Sequence, residues 1–483
     1  MNFGIIKRTL GWILLFEGLF FTVPLITAAV YWEEEFFDIF VAMALCAACG
    51  GVCIVGKPKN QNIYAKEGFV IVALSWIVMS IFGALPFWFS RSIPSYIDAL
   101  FETVSGFTTT GASIIPTGEA LESMPKCLLI WRSFTHWVGG MGVLVFIMAF
   151  LPLSGARNMN LMKAESPGPS VGKLVPRVRQ TAKILYLIYA GMTVIQFALL
   201  LFGEMTVFEA INTAFATAGT GGFGFKGDSM ASFSSYTQIV ITVFMLLFSV
   251  NFNSYFLLLR GRMKEAFNTE VRVFFAIVIT AITLITLNLQ LSEAYTYTTG
   301  EAIKHSAFSV ATIISTTGFV TANFDLWPAF SKGILVLLMF IGACAGSTGG
   351  GVKVSRVVIL YKGATHEMKK MLHSRQVTNV TIDKRVVDRE VVQNTFAYLF
   401  AYILVFVLSF LLICIDVQDV VTNFTAVTAT INNVGPGLGA VGPDGNFAFF
   451  SVGSKLVFIF DMLAGRLEIF PMLLLFSART WKK

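Results

Sequence analysis

Long apolar stretches recur through the whole chain, and they restrict its fold more than any other feature of the sequence. Ten stretches are candidate membrane spans: 9–31, 36–56, 68–89, 127–152, 183–203, 234–259, 271–291, 331–360, 393–415 and 452–480. A hydrocarbon core of about 30 Å is crossed by a helix of about 20 residues. Because a bilayer offers no water to backbone groups, such stretches must satisfy their own hydrogen bonds. Their length predicts an all-α polytopic membrane protein.

Charged residues are scarce and unevenly distributed. Only 13% of the 483 residues are charged and 55% are hydrophobic, with a mean hydropathy of +0.74; a soluble chain of this size would carry more surface charge. With a cytoplasmic N-terminus, 27 of the 35 Lys and Arg residues fall in cytoplasmic segments, as the positive-inside rule requires. Both termini are then predicted to be cytoplasmic. The net charge of +7 follows from this topology and does not indicate nucleic-acid binding.

The predicted outer segments are acidic and hold 17 of the 28 carboxylates when Asp38, at the outer start of the second span, is counted with them; Glu102 and Glu301 are among the 17. A negative outer mouth raises the local concentration of cations, but acidic loops also keep a surface soluble, and the sequence leaves both interpretations open. The six cysteines suggest no disulfide framework.

Four short polar segments resemble one another and lie roughly a hundred residues apart. They are "FTTTGAS" (107–113), "FATAGTG" (215–221), "ISTTGFV" (314–320) and "INNVGPG" (431–437), aligned on Gly111, Gly219, Gly318 and Gly435. Each follows an amphipathic stretch too short to cross a membrane: 96–107, 205–215, 299–314 and 417–431. The order span, half-span, loop, span therefore repeats four times in parallel, after two additional N-terminal spans.

Four half-spans that each end in a polar segment favour the binding of a cation between them. Irregular backbone at membrane depth must be buried in protein or line water, and a helix that enters from outside points its partially negative carbonyl end at the membrane centre. Carbonyls beyond four such ends can replace the hydration shell of potassium. The alternative, four unrelated packing glycines, does not explain four matched half-spans. The predicted potassium filter consists of Thr109, Thr110, Gly111, Thr217, Ala218, Gly219, Thr220, Thr316, Thr317, Gly318, Asn433, Val434 and Gly435.

The second span of the third repeat contains "GACAGSTGGG" (342–351). Each glycine costs about 1 kcal/mol against alanine in a helix, so the span is predicted to break just below the filter and form a flap. The predicted gate residues are Gly346, Ser347, Thr348, Gly349, Gly350, Gly351 and Arg466. A phosphate loop is a poor alternative, since the segment lacks the GK[ST] ending and no strand precedes it.

Two arginines fall within predicted spans. Arg466 is expected to face the pore, where it touches the flap or repels cations; a structural ion pair with Asp461 or Glu468 is the alternative. Arg132 is expected to extend its side chain toward the outer interface, and His136 to be packed and hydrogen-bonded. No group of residues indicates covalent chemistry, so we predict neither an enzyme nor a cofactor.

In combination, "FTTTGAS", "STTGF", "NNVGPGLG", "GACAGSTGGGVKVSR" and "MLAGRLEIF" resemble the TrkH-type bacterial potassium transporters, of the superfamily that includes KtrB and plant HKT proteins. The resemblance covers essentially the whole chain. It implies potassium as substrate, four channel-like units around one pseudo-fourfold pore, a gating loop at 346–351 and an arginine below the filter at Arg466. It also implies a homodimer in the inner membrane and a cytoplasmic TrkA-like nucleotide-binding regulatory partner.

The sequence departs from the family pattern in the second repeat, whose register could slide by two residues, and in the fourth, where Val434 precedes Gly435. Unequal walls predict permeation by rubidium and sodium besides potassium. A proton- or sodium-coupled secondary transporter is the alternative function, although that class favours inverted repeats. The predicted divisions are two N-terminal helices (1–67), four repeats (68–153, 183–260, 270–360 and 390–483) and two cytoplasmic loops (154–182 and 361–389).

Overall fold

The computed structural model describes residues 1–56, 64–116, 118–142, 178–292, 297–373, 379–416 and 418–481. Its α-helices are α1 (Phe3–Phe20), α2 (Thr22–Tyr31), α3 (Phe36–Ile54), α4 (Ala65–Gly83), α5 (Leu85–Phe89), α6 (Tyr96–Phe107), α7 (Glu119–Glu122), α8 (Lys126–Gly140), α9 (Val178–Leu201), α10 (Val207–Gly219), α11 (Ser235–Phe248), α12 (Phe252–Leu259), α13 (Met263–Ala266), α14 (Thr269–Leu291), α15 (Thr299–Ile314), α16 (Ala329–Ile341), α17 (Val354–Leu372), α18 (Arg389–Ile413), α19 (Val420–Ile431), α20 (Val452–Arg466), α21 (Phe470–Phe476) and α22 (Ala478–Trp481). Two 3-10 turns lie at Phe324–Leu326 and Gly439–Val441. The strands β1 (Thr381–Ile382) and β2 (Arg385–Val386) form an antiparallel hairpin.

The all-α membrane fold is confirmed. Among the described residues, six helical stretches are long and apolar enough to cross a membrane, and each matches a predicted span. They are Phe3–Tyr31, Phe36–Ile54, Lys66–Phe89, Ala182–Leu201, Thr269–Leu291 and Arg389–Ile413. In the N-terminal pair, α1 and α3 approach closely at two glycines, since a Cβ on Gly11 would lie 2.8 Å from the carbonyl oxygen of Gly50.

The second spans of the repeats are broken more widely than we predict from the sequence. The glycine-rich break of the third repeat is present, as residues 342–353 between α16 and α17 are not helical. However, α11 and α12 meet at a bend of 90° around Ser249–Asn251, and α20 and α21 are separated by residues 467–469. The glycine-rich segment therefore predicts one of three breaks in the second spans of the described repeats. The second-repeat break is stabilised by side chains, because Asn251 caps α12 by accepting the N–H of Asn253 at 2.9 Å.

Four helices of 12 to 16 residues, α6, α10, α15 and α19, match the predicted half-spans and are called the half-span helices below. At 1.5 Å per residue they are too short to cross a bilayer. Each begins with a side-chain cap, which fixes its outer end. The four caps are Ser95, Thr206, Thr298 and Asp419.

The segment 361–389, predicted as a loop, has regular structure of its own. Helix α17 continues to Leu372, and the β-hairpin occupies residues 381–386. In "VTNVTI", where alternation suggests a strand, the last two residues form β1, while Val377 and Thr378 lie outside the described residues. Of the predicted loop 154–182, only the start of α9 is described.

Candidate ion pathway at the ends of the half-span helices

All four half-span helices end in the same backbone conformation. The helix is followed by a residue in the left-handed region, and two positions later by a glycine with positive φ. The left-handed residues are Thr109 (φ 56°), Thr220 (57°), Thr316 (59°) and Asn433 (55°), and the glycines are Gly111, Gly222, Gly318 and Gly435. Between them, the N–H groups of Thr110, Gly221, Thr317 and Val434 donate to helix carbonyls at 2.8–2.9 Å. Four segments of different sequence thus form equivalent loops.

This equivalence corrects the register of the second repeat. When the second loop is aligned with the first by backbone conformation, the glycine equivalent to Gly111 is Gly222, three residues beyond Gly219. Thr217, Ala218 and Gly219 lie instead within the last turn of α10. The helix continues to Gly219 because that residue packs against α8, where a Cβ would overlap the carbonyl oxygen of His136.

The four loops close into a ring. A Cβ built on Gly111 would overlap the carbonyl oxygen of Gly221, and one on Gly222 would overlap that of Thr317. A Cβ on Gly318 would lie 2.7 Å from the carbonyl oxygen of Val434, and one on Gly435 would lie 2.7 Å from that of Thr110. Each glycine therefore contacts the carbonyl of the next repeat, and the fourth repeat contacts the first.

The ring is narrow as well as closed. The Cβ position of Gly111 lies 3.6 Å from the carbonyl oxygen of Thr317, which belongs to the diagonally opposite repeat. Thr109, Thr220, Thr316 and Asn433 are fully buried. Left-handed backbone costs a residue with a Cβ roughly 1–2 kcal/mol, so these conformations persist only because the surrounding helices fix them. The arrangement brings backbone carbonyls from four helix ends together in one closed ring.

Hydroxyl groups hold two of the loops in place. Thr108 Oγ1 and Thr110 Oγ1 lie 2.8 Å apart, and the equivalent groups of Ser315 and Thr317 lie 2.6 Å apart. The fourth loop is joined to the first, since Asn433 Nδ2 donates to Thr110 Oγ1 at 2.9 Å. The hydroxyls therefore bond to protein and orient the loops.

Arg132 stabilises the outer side of two loops. It is 3% exposed and pairs with Glu102 at 2.7 Å, while Nη1 donates to the carbonyl oxygen of Gly224 at 3.0 Å. Glu102 also accepts the Ser113 hydroxyl at 3.0 Å and the Ile114 N–H at 3.0 Å. The expectation that Arg132 extends toward the interface is therefore wrong. Because Glu102 is neutralised by this pair, it does not contribute to a negative outer mouth.

His136 is packed and hydrogen-bonded, as we predict. Its Nδ1 donates to the carbonyl oxygen of Gly106 at 2.7 Å, and its Nε2 accepts the N–H of Phe223 at 3.3 Å. It is fully buried and joins the first half-span helix to the second loop.

The non-helical segment of the third repeat lies directly against the ring. Gly350 N–H donates to Thr316 Oγ1 at 2.6 Å, and Gly351 N–H donates to the carbonyl oxygen of Asn432 at 3.0 Å. On the other side, the N–H of Phe252 donates to the carbonyl oxygen of Gly346 at 3.0 Å. The predicted gate residues Gly346–Gly351 thus contact the second, third and fourth repeats at one level.

Arg466 contacts this segment. Its Nη1 donates to the carbonyl oxygen of Thr348 at 2.7 Å, and its Nη2 to that of Gly140 at 2.7 Å. Glu468 pairs instead with Arg356, and Asp461 accepts the hydroxyl of Ser409. Of the interpretations open from the sequence, contact with the flap matches this geometry, and Arg466 connects the segment to the first repeat.

Comparison with known proteins agrees with this architecture. A family model, TrkH cation transport protein, matches residues 36–483. The chain belongs to the TrkH family of cation transport proteins. It is 36% identical over 490 residues to the Trk system potassium uptake protein TrkH of Escherichia coli (strain K12), covering 100% of both. It is 30% identical to the Trk system potassium uptake protein TrkG of the same strain, covering 99% of this chain and 98% of TrkG.

The fold of the TrkH family is also known from a crystal structure, that of the potassium transporter TrkH from Vibrio parahaemolyticus. This chain matches it with a TM-score of 0.89 and 33% identity, and 100% of both chains is covered. Membership confirms the predicted family and the four-repeat membrane fold. It also confirms that the chain belongs to a family of transporters rather than enzymes.

Sequence reasoning missed Gly222, Glu102 and Arg132 as parts of this site. A signal for Gly222 is present, because "TGGF" at 220–223 matches "TTGF" at 316–319 when the two are aligned on the phenylalanine. The pairing of Glu102 with Arg132 has no comparable signal, since the two lie 30 residues apart on different helices.

Proposed function

We propose that this chain takes up potassium across the bacterial inner membrane through a pathway between its four repeats. The observation that carries the proposal is the closed ring of four glycine–carbonyl contacts at the ends of the half-span helices. Relatives that match the whole chain are potassium uptake proteins by name. Four carbonyls supplied from fixed backbone replace water around a dehydrated monovalent cation.

In this proposal the filter consists of the four equivalent loops: Thr109–Gly111, Thr220–Gly222, Thr316–Gly318 and Asn433–Gly435. The carbonyls of Thr110, Gly221, Thr317 and Val434 contribute to the cation site. The loops share a backbone but differ in the side chains that brace them, since only the first and third contain the paired hydroxyls. We therefore expect weaker discrimination against sodium than four identical walls give, with rubidium also conducted.

The gate is the segment Gly346–Gly351 with Arg466. The segment rests against the ring from the cytoplasmic side and is bonded to loops of the third and fourth repeats. Arg466 holds the segment through Thr348 and places a positive charge below the filter. The pathway opens when Gly346–Gly351 move out of it. A cytoplasmic nucleotide-binding partner of the TrkA type drives this movement by binding residues 353–390 of a homodimer.

Purified protein in liposomes tests the proposal. Potassium uptake is expected to exceed sodium uptake, and Gly318→Ser is expected to reduce that ratio, because φ at Gly318 is +92° and a Cβ would lie 2.7 Å from the Val434 carbonyl. Gly333→Ser is the matched control, since a Cβ at Gly333 meets nothing within 4 Å. An unchanged ratio in a folded Gly318→Ser protein contradicts the filter.

Single-channel recording separates this proposal from a proton- or sodium-coupled secondary transporter. Discrete openings that each pass many ions support a pore. Uptake that requires a proton or sodium gradient, without such openings, supports alternating access.

A further inference from the structure

Both ends of the gating segment are held by one carboxylate. Glu270, near the start of α14, accepts two backbone hydrogen bonds through Oε1, from Ala345 N–H at 2.6 Å and from Ser355 N–H at 3.2 Å. Ala345 precedes Gly346–Gly351 in the chain, and Ser355 lies in the first turn of α17. A single side-chain oxygen therefore joins the two sides of the glycine-rich segment.

The position of the contact suits an acceptor with negative character. The N–H of Ser355 belongs to the N-terminal turn of α17, where the helix dipole is positive. The segment carries a further restraint of its own, since Lys353 Nζ donates to the carbonyl oxygen of Gly349.

The carboxylate is also connected to the cytoplasmic β-hairpin. Thr269, the residue before Glu270, donates its N–H and its hydroxyl to Asp383 Oδ1 at 2.9 and 2.7 Å. Asp383 lies in the two-residue turn between β1 and β2. The start of β1 contacts α17, because Lys362 Nζ donates to the carbonyl oxygen of Thr381 at 2.7 Å. The hairpin thus bridges α14 and α17, the two helices that Glu270 joins.

We propose that Glu270 is a positioning residue that keeps the gating segment in its closed place by holding Ala345 and Ser355 together. The inference rests on the proposed function, which gives this segment its role in conduction. A movement of α17 that withdraws the segment separates Ser355 from Ala345, so Glu270 must release at least one of the two N–H groups. The hairpin is the cytoplasmic element through which α14 and α17 are moved relative to each other.

The first test is potassium flux in partner-free liposomes. Glu270→Met keeps the side-chain volume and removes both carboxylate oxygens, and we expect basal potassium flux to increase at least tenfold. If the methionine variant does not fold, Glu270→Ala is measured in its place. Glu270→Gln, whose amide oxygen still accepts N–H groups, is expected to restore most of the closure. Glu265→Ala is the matched control, because Glu265 is an exposed carboxylate on the same side that pairs with Arg262, and its flux is expected to equal the wild type.

The second test does not depend on transport. Cys344 is fully buried beside the segment, and its modification by N-ethylmaleimide, followed by peptide mass spectrometry, reports the movement of the segment. We expect modification to be at least tenfold faster in Glu270→Met than in Glu265→Ala. Unchanged modification in a folded Glu270→Met protein overturns the inference, whatever the flux. If Cys344 is modified faster in Glu270→Met but neither the wild type nor any variant transports potassium, the result supports the role of Glu270. It then contradicts the proposed function.

Discussion

The register of the second repeat gives the sharpest test of the ring. Gly222 has φ +73°, and a Cβ there would overlap the carbonyl oxygen of Thr317 in the next repeat. Gly222→Ala therefore adds backbone strain of about 1–2 kcal/mol and displaces a carbonyl that we assign to the cation site. The strain is common to both ions and cancels in the permeability ratio, so the change in ion preference comes from the displaced carbonyl. A loss of about 1.4 kcal/mol of preferential potassium binding corresponds to a factor of ten, and we expect the potassium-to-sodium permeability ratio to fall by roughly that factor.

Gly219→Ala distinguishes the two registers. A Cβ at Gly219 would overlap the His136 carbonyl oxygen at the contact between α10 and α8, away from the ring. We expect this variant to lower thermal stability while the protein that folds keeps its ion preference. The assay is the reversal potential of currents from purified protein under paired potassium and sodium gradients, with melting temperatures measured in parallel. A lost preference in Gly219→Ala together with a normal one in Gly222→Ala refutes the register.

Three further predictions follow from the contacts of the site. Arg132→Leu leaves Glu102 buried without its cation and is expected to lower the free energy of unfolding by about 3–5 kcal/mol. The double variant that also carries Glu102→Leu is expected to recover most of that loss. Chemical unfolding in detergent measures both variants, and equal losses would contradict the pairing argument. Arg466→Ala removes the hydrogen bond to Thr348 and the positive charge below the filter. Potassium flux measured without the partner protein is therefore expected to increase several-fold. Wild-type flux in a folded variant would exclude both effects. Deletion of Gly346–Gly351 is expected to give a folded, leaky protein in liposome flux; a deletion variant that remains closed, or fully dependent on its partner, would show that the segment is not the gate.

The sequence predicted those parts of the site that depend on local chemistry. The half-span helices are too short and too amphipathic for spans, and the single glycines at 111, 318 and 435 marked their loops. In the second repeat, a run with glycine at 219, 221 and 222 offered several alignments, and the contact of α10 with α8 selected among them. Local pattern does not contain that contact.

The breaks in the second spans show the same limit. Residues 342–353 carry enough glycine to predict a break. Ser249–Asn251 contain none, and their 90° bend depends on bonds to the third repeat, such as that of Cys344 N–H to the Ser249 carbonyl at 3.1 Å. The prediction for Arg132 is wrong for a related reason. Its partner Glu102 belongs to another helix, and spacing along one helix gives no information about it.

The ring closes between the first and last repeats, and this has a consequence for synthesis. Gly435 completes the circle by contacting Thr110, and Asn433 bonds to the same threonine across 323 positions of the chain. Such a long loop closure comes late in folding, and a ribosome produces the last repeat after the other three are already in the bilayer. A nascent chain with three repeats therefore contains three of the four loops of the ring, and the proposed cation site is incomplete. On the proposed function, no product that lacks the final half-span helix forms a complete conducting element.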